Sequence, residues 1–220
     1  MIQIENLSKR YGKNEILRQI TVRFESGGIY GLVGANGCGK TTLMRCICGF
    51  SQPTTGYIVV NGCLIGGRSA LRRNPELAKA DAGIISRVSD FAPSTGVIIE
   101  TPGFLTNLTG RKNLEILAGM RRKIGPAEVL QVLEKVGLDP ALKKPVANYS
   151  LGMRQRLGIA QAIMEDPKLL ILDEPFNGLD KHGVGEIRKL LLELKEEGKT
   201  ILLASHNEED IRILCDEVYE

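Results

Sequence analysis

The sequence has no apolar run long enough to cross a membrane. The longest runs, such as Ile201–Ala204, are far shorter than the about 20 apolar residues that span a bilayer as a helix. No signal-peptide pattern is visible either, because Met1–Glu5 already alternates apolar and polar residues like a strand. We therefore expect a soluble, cytoplasmic chain, for which any membrane-spanning part belongs to another subunit.

Neither positive nor negative charge is in large excess. Lys and Arg together number 29 and Asp and Glu 26, which leaves a net charge of +3. Proteins that coat nucleic acid, or that bind membranes through basic residues, carry a larger excess of positive charge. The composition therefore predicts no nucleic-acid partner and no strongly basic membrane-binding surface.

The five cysteines include no pair with the spacing of a zinc site, and their number is odd. Cys46 and Cys48 lie two positions apart in a predicted helix, where their side chains point to different faces. We expect free thiols in a reducing compartment. The sequence also has no internal repeat and no low-complexity segment.

What is present is an alternation of strands and helices around a helical block. At 220 residues the chain is long enough for one ordinary core. The pattern predicts an α/β fold, with a parallel core and a helical insert. Strands are predicted at residues 2–4, 20–24, 28–33, 57–60, 96–100, 168–173 and 200–205, with a hairpin turn at Asn61-Gly62. Helices are predicted at residues 40–49, near 75–82, in three pieces within 109–165, at 180–197 and at 207–215.

A phosphate-binding loop is predicted between the strand at 28–33 and the helix at 40–49. It matches the pattern Gly-x-x-x-x-Gly-Lys-Ser/Thr, in which small residues let backbone N–H groups converge on phosphate oxygens. The helix N-terminus adds a favourable potential, the lysine neutralises the outer phosphates, and the threonine offers its hydroxyl to Mg²⁺. The alternative is a glycine-rich turn before a helix. The loop residues are Gly34, Ala35, Asn36, Gly37, Cys38, Gly39, Lys40 and Thr41, and Thr42 follows them.

An apolar strand ends in two acids at Asp173 and Glu174. A charge at the buried end of a strand needs a partner, and a metal or nucleotide beyond the carboxyl ends of the strands supplies one. Asp173 suits the Mg²⁺ shell, whereas Glu174 points elsewhere and suits a general base for the attacking water. The alternative is a strand that merely reaches a solvated turn.

The segment Tyr149–Arg156, just before the acidic strand, resembles the signature motif of ATP-binding-cassette (ABC) ATPases. It is a variant, with Leu151 and Met153 at positions where the family has other residues. The order of phosphate loop, helical block, signature, acidic strand and Ser205-His206 is also that of the family. The resemblance implies a single cassette over residues 1–220. Its β-rich and P-loop part would cover about 1–100, a helical signature subdomain about 101–155, and the rest of the core 156–220.

The resemblance also implies how ATP and Mg²⁺ bind. In this family two cassettes face head to tail, and each ATP lies between one phosphate loop and the other subunit's signature, here Ser150 and Gly152. Tyr11 would stack on adenine, although an ordinary surface tyrosine is the alternative. Asp180 would belong to the loop that links the two half-sites, and His206 would contact the γ-phosphate and hold Glu174.

Glu100 departs from the family pattern, which usually has glutamine at this strand end. The segment 96–104 is similar to the branch that serves bacitracin- and lantibiotic-type peptide exporters. We expect the carboxylate to join the Mg²⁺ environment. The alternatives are a coupling surface to the permease and a solvated strand end. Residues 66–90 look longer and more irregular than the family needs, and the chain ends where the family commonly continues.

These observations predict an ATP-binding and ATP-hydrolysing subunit of an ABC transporter, with antimicrobial-peptide export as a more specific hypothesis. Its partners would be a separate transmembrane permease, which makes the only membrane contact, and a second ATP-binding subunit in a homodimer. The chain would then be cytoplasmic and peripheral at the inner face of the cell membrane. The alternatives are a non-transport ABC ATPase and a regulatory module that binds nucleotide without hydrolysing it.

Overall fold

The computed structural model describes residues 1–78, 85–100 and 103–220. The first part of the chain is mainly strand: β1 (Ile2–Tyr11), β2 (Asn14–Phe24), β3 (Ile29–Leu32), α1 (Lys40–Cys48), β4 (Thr55–Val60), β5 (Cys63–Ile65), α2 (Gly67–Arg73), β6 (Arg87–Ser89) and β7 (Thr95–Ile98). The remainder is mainly helix: α3 (Gly110–Arg121), α4 (Pro126–Lys135), α5 (Leu151–Ile163), β8 (Leu169–Asp173), α6 (Lys181–Glu196), β9 (Thr200–Ala204), α7 (Glu208–Leu214) and β10 (Glu217–Tyr219).

Within the described ranges the strands form two five-stranded sheets. The first has the order β2-β1-β4-β5-β6 and is antiparallel, except that β5 and β6 run parallel. The second has the order β10-β3-β9-β8-β7 and is parallel throughout. The expected parallel core and the antiparallel sheet of the resemblance are both confirmed.

The helix α1 lies in the hydrophobic cluster between the two sheets. Met44 and Ile47 of α1 are fully buried, in one cluster with Ile4 of β1 and Ile171 of β8. The neighbouring β8 residues face the other way, into a second cluster. Because the inner strands of the parallel sheet, β3, β9 and β8, are covered on both faces, they are continuously apolar rather than alternating. The phosphate loop is therefore anchored at its start by a buried strand and at its end by a buried helix.

The helical block packs on the opposite face of the parallel sheet. Leu114 of α3, Val129 of α4 and Leu157 of α5 are fully buried in one cluster with Leu170 of β8. The shared cluster joins the signature helix α5 to the acidic strand. No helix in the described ranges combines the length and apolar character that crossing a membrane requires.

The structure corrects the prediction of a helix near residues 75–82. The helix in this region is α2, which ends at Arg73, and a short 3-10 turn follows at Pro75–Ala78; residues 79–82 lie outside the described ranges. The residue before a proline avoids the helical conformation, and Asn74 has φ −129° and ψ 69°. The hairpin at Asn61-Gly62 is confirmed, with both residues at positive φ as its tight turn requires.

Candidate functional site

The phosphate loop joins β3 to α1 in a conformation that requires glycine. Gly34, Gly37 and Gly39 have φ of 132°, 83° and 111°, in the region that residues with a Cβ avoid. The Nζ atom of Lys40 donates to the carbonyl oxygens of Gly34 and Ala35 at 2.7 and 3.2 Å, so the loop is wrapped around the ammonium group. Because α1 begins at Lys40, the first N–H groups of that helix have no intrahelical partner and are free for an anion.

Thr41 and Asp173 bring the two motifs together. The Thr41 hydroxyl donates to Oδ2 of Asp173 at 2.5 Å, although 132 positions separate the residues. Thr41 lies in the first turn of α1 and Asp173 is the last residue of β8. A hydroxyl and a carboxylate at the carboxyl end of a parallel sheet provide adjacent oxygen donors of the kind that Mg²⁺ prefers.

Glu174 and His206 form the second polar pair at this edge. The Nδ1 atom of His206 lies 2.7 Å from Oε2 of Glu174. The backbone of Glu174 has φ 50°, an unfavourable conformation that persists only where the surroundings impose it. Its N–H donates to the Ala204 carbonyl at 2.9 Å, and its carbonyl accepts from Nε2 of Gln155 at 3.2 Å. These bonds to β9 and α5 hold the carboxylate beside His206.

The phosphate loop, Asp173 and Glu174 border one cavity of about 350 Å³, whereas His206 is not among its lining residues and is connected to it through Glu174. The cavity brings together most of the residues that motif reasoning predicts, from the phosphate loop, the acidic strand and β1. Its lining comprises Tyr11, Ile16, Asn36, Gly37, Gly39, Lys40, Thr41, Thr42, Asp173 and Glu174. Cys38 is exposed and lines a neighbouring, largely apolar cavity.

Ser150, Gly152 and Asp180 are not among the residues that line this cavity. Ser150 caps α5 by accepting from Met153 N at 3.1 Å, and Asp180 caps α6 by accepting from Gly183 N at 2.8 Å. A Cβ added to Gly152 would lie 2.8 Å from the Gly178 carbonyl oxygen, too close for any side chain. The signature helix and the loop before α6 therefore make a second, separate cluster.

Tyr11 lines the cavity, whereas Glu100 does not. Tyr11 is half exposed at the cavity, with its hydroxyl 3.2 Å from Ser51 Oγ and the Lys9 ammonium 4.7 Å from its ring centroid. The Glu100 carboxylate pairs with Arg45 at 3.1 Å. The geometry thus gives Glu100 a partner on α1, and its assignment to the metal environment stays a prediction.

Comparison with known proteins assigns the family. The model of the family described as "ABC transporter" matches residues 17–177, which is most of the chain. The chain belongs to the ABC transporter family. It is 42% identical to the bacitracin transport ATP-binding protein BcrA of Enterococcus faecalis over 98% of this chain, but spans only 64% of that protein's length. It is 38% identical to the lantibiotic transport ATP-binding protein SrtF of Streptococcus pyogenes, over 98% of this chain and 84% of that one.

A solved structure confirms the ABC fold. The ATP-binding cassette MJ0796, in a dimeric post-hydrolysis state bound to ADP and Pi, superposes with a TM-score of 0.79 over 100% of this chain and 97% of that chain. The two sequences are 22% identical, so this likeness concerns the fold. The fold and family expected from the signature, the phosphate loop and the acidic strand are confirmed.

Motif reasoning missed two groups of residues in this ABC protein. Gln155 lies within the signature segment, yet nothing in its pattern predicts the hydrogen bond to Glu174. Arg188 and Asp210 form a buried ion pair next to Ser205. The only signal for this pair is an arginine and an aspartate within two amphipathic helices, which is typical of many solvated helix faces.

Proposed function

We propose that the chain binds and hydrolyses ATP as the energy-supplying subunit of a peptide-antibiotic exporter. The observation that carries the proposal is the joining of three motifs at one cavity. Lys40 sits inside the phosphate loop, Thr41 bonds to Asp173, and Glu174 bonds to His206. A site that only bound nucleotide would need the first of these groups but not the pair of Glu174 and His206.

The side chains divide the chemistry among them. The loop amides and Lys40 bind the β- and γ-phosphates. Glu174 accepts a proton from the attacking water as general base. His206, hydrogen-bonded through Nδ1, orients Glu174 and leaves Nε2 for the γ-phosphate. The Tyr11 ring, half exposed at the cavity, would stack on adenine.

The residues present fit Mg²⁺ at Thr41 and Asp173. The support is their chemistry, because a hydroxyl and a carboxylate that are already in contact line the cavity. Bound there, Mg²⁺ would neutralise charge that develops on the phosphates. Thr41 and Asp173 would hold it, and Lys40 would keep its place within the loop.

A second subunit is part of the proposal because Ser150, Gly152 and Asp180 lie outside the cavity. Ser150 and Gly152 lie at the N-terminus of α5, a 13-residue helix. The Ser150 hydroxyl and the first backbone amides of the helix could bind a γ-phosphate there. In a head-to-tail homodimer these groups would reach the ATP held by the other copy. Asp180 would lie in the loop between the two half-sites.

The permease is the proposed partner of an exposed apolar patch formed by Phe50, Phe91 and Met120. The two phenylalanine rings pack edge to face at 6.1 Å and are each more than half exposed, and Met120 is 77% exposed. Phe50 and Met120 border a groove of about 320 Å³ between α3 and β7. Apolar patches of this kind mark protein contacts. Membrane contact would be made only through the permease, at the inner face of the cell membrane, and nucleic acid has no part.

The names of two relatives, bacitracin and lantibiotic transport ATP-binding proteins, support a peptide antibiotic as the proposed cargo.

The first test is phosphate release from Mg²⁺-ATP by the purified chain, with Lys40→Ala as control. We expect turnover by the native chain and none by the variant. Absence of turnover from a folded, ATP-binding chain would favour a regulatory module. Co-purification with a co-expressed permease, and its loss in Met120→Lys, tests the transporter assignment.

A further inference from the structure

The hydroxyl group of Ser205 links the backbone before His206 to the backbone after it. The Ser205 Oγ atom accepts from the N–H of Asn207 at 3.2 Å and lies 3.1 Å from Oδ2 of Asp210, to which it donates. The residue before His206 and the residue after it are thus tied together. His206 itself is 69% exposed, so packing does little to fix its ring.

Asp210 is in turn fixed by Arg188. The guanidinium donates to Oδ1 of Asp210 through Nε at 2.8 Å and Nη2 at 2.5 Å. Asp210 is 1% exposed, and burying a carboxylate at this depth is tolerated because it is both paired and hydrogen-bonded. Arg188 also contacts Glu209, whose side chain is largely exposed. The buried carboxylate is therefore a rigid anchor between α6, α7 and the end of β9.

The geometry points to Asp210 and Ser205 as positioning residues for His206. Their hydrogen bonds hold the backbone at 205–207 so that Nδ1 of His206 meets Glu174, and Arg188 keeps the Asp210 carboxylate oriented. This inference rests on the proposed function, since it assigns how the groups behind the pair of Glu174 and His206 serve ATP hydrolysis. Displacement of a group at a reacting centre by about 1 Å costs up to about 10²-fold in rate.

The decisive variant is Ser205→Ala, which removes the hydroxyl and leaves the Arg188–Asp210 pair intact. We expect kcat for ATP hydrolysis to fall about 10-fold with KM nearly unchanged. Ser205→Thr, which restores the hydroxyl, should recover activity. Glu209→Gln is the matched control, because it removes a carboxylate from the same arginine without touching Ser205, and it should hydrolyse ATP like the native chain.

A double-mutant cycle separates positioning from general stability. In a His206→Ala background, Ser205→Ala should change kcat less than about 2-fold, because its effect passes through His206. An equal loss in both backgrounds would show that Ser205 acts only on the fold and would overturn the inference. Native-like kcat in Ser205→Ala, with turnover by the native chain established, would also overturn it while leaving the proposed function in place.

A spectroscopic readout needs no turnover. The chain has only two histidines, and His182 pairs with Glu186 at 3.3 Å, far along the chain from Ser205. Ser205→Ala should shift the ¹⁵N signal of His206 Nδ1, as its hydrogen bond to Glu174 weakens, and leave that of His182 unchanged. An unchanged His206 signal would contradict the inference even if the native chain hydrolyses no ATP. If Ser205→Ala does not fold, Asp210→Asn is measured in the same way.

Discussion

Oγ1 of Thr41 donates a hydrogen bond to Oδ2 of Asp173 across 2.5 Å, which links the first turn of α1 to the last residue of β8. The contact sets the two oxygens beside each other before any cation binds. We expect Asp173→Asn to lose most of the enhancement of ATP affinity by Mg²⁺, because an amide is a weaker ligand for a hard cation. Affinity for ATP in the presence of a chelator should change little. Equal enhancement by Mg²⁺ in the variant and the native chain would remove Asp173 from the metal site.

Glu100 provides a matched comparison for that titration. Its carboxylate pairs with Arg45, whereas the sequence predicts that it enters the metal environment. If the prediction holds, Glu100→Gln should show a weaker Mg²⁺ dependence and bind metal-free ATP at least as well. An unchanged ratio of the two affinities would assign Glu100 to its ion pair on α1. If Glu100 does enter the metal environment, Arg45→Gln, which frees its carboxylate, should strengthen the Mg²⁺ dependence.

Glu174→Gln should retain ATP binding and lose turnover. The amide keeps the shape of the side chain and can still bond to His206, but it accepts a proton poorly. Loss of a general base typically lowers the rate by about 10²–10⁴-fold. Size-exclusion chromatography with ATP should show the variant accumulating as a dimer, because hydrolysis normally precedes dissociation. Turnover close to that of the native chain would exclude Glu174 as the base.

The thiols should differ sharply in reactivity. Burial raises the pKa of Cys46 to about 11 and of Cys48 to about 12, and it also raises that of Cys215, to about 11. At pH 8 a thiol with a pKa of about 11 is ionised in only about one molecule in 10³. Cys38 is exposed, so a maleimide should label it first.

Bound nucleotide should not shield Cys38 from the maleimide, since this residue lines the neighbouring apolar cavity and not the cavity assigned to ATP. Mass spectrometry of the labelled chain, with and without Mg²⁺-ATP, measures both the site and any protection. Cys38→Ser should take up no label on the same timescale. Rapid labelling of that variant would contradict the low reactivity of the buried thiols. Strong slowing of Cys38 labelling by ATP would contradict the placement of the nucleotide in the other cavity.

The sequence predicts those parts of the molecule that are encoded by neighbouring residues. The phosphate loop is one unbroken segment, and Asp173 and Glu174 end a strand whose apolar character is visible in its own residues. The contacts of Gln155 with Glu174 and of Asp210 with Ser205 are not predictable in this way, because each depends on how a helix packs beside a strand end. The role predicted for Glu100 rests on the family's usual glutamine at this position, and the motif contains nothing about Arg45.

Sequence patterns also do not predict two short elements, α2 and β10. The helix α2 has no amphipathic repeat of its own; its buried Ala70 packs against Val59 and Leu64 of the first sheet. The strand β10 is three residues long and largely exposed, and exists through parallel pairing with β3. Both are stabilised by tertiary contacts, which override weak local preferences.

We propose that two copies of this chain share each ATP site, and mixing two inactive variants tests this most directly. Ser150→Arg should still bind ATP at its own phosphate loop but block the other copy's site, and Glu174→Gln should lack only the base. A mixed dimer has one site with a native Glu174 and a native Ser150. An equimolar mixture, combined before ATP is added, should therefore regain up to about a quarter of the native ATP hydrolysis, because half of randomly formed dimers are mixed and each has one intact site. Activity no greater than the sum of the two separate variants would contradict the shared site.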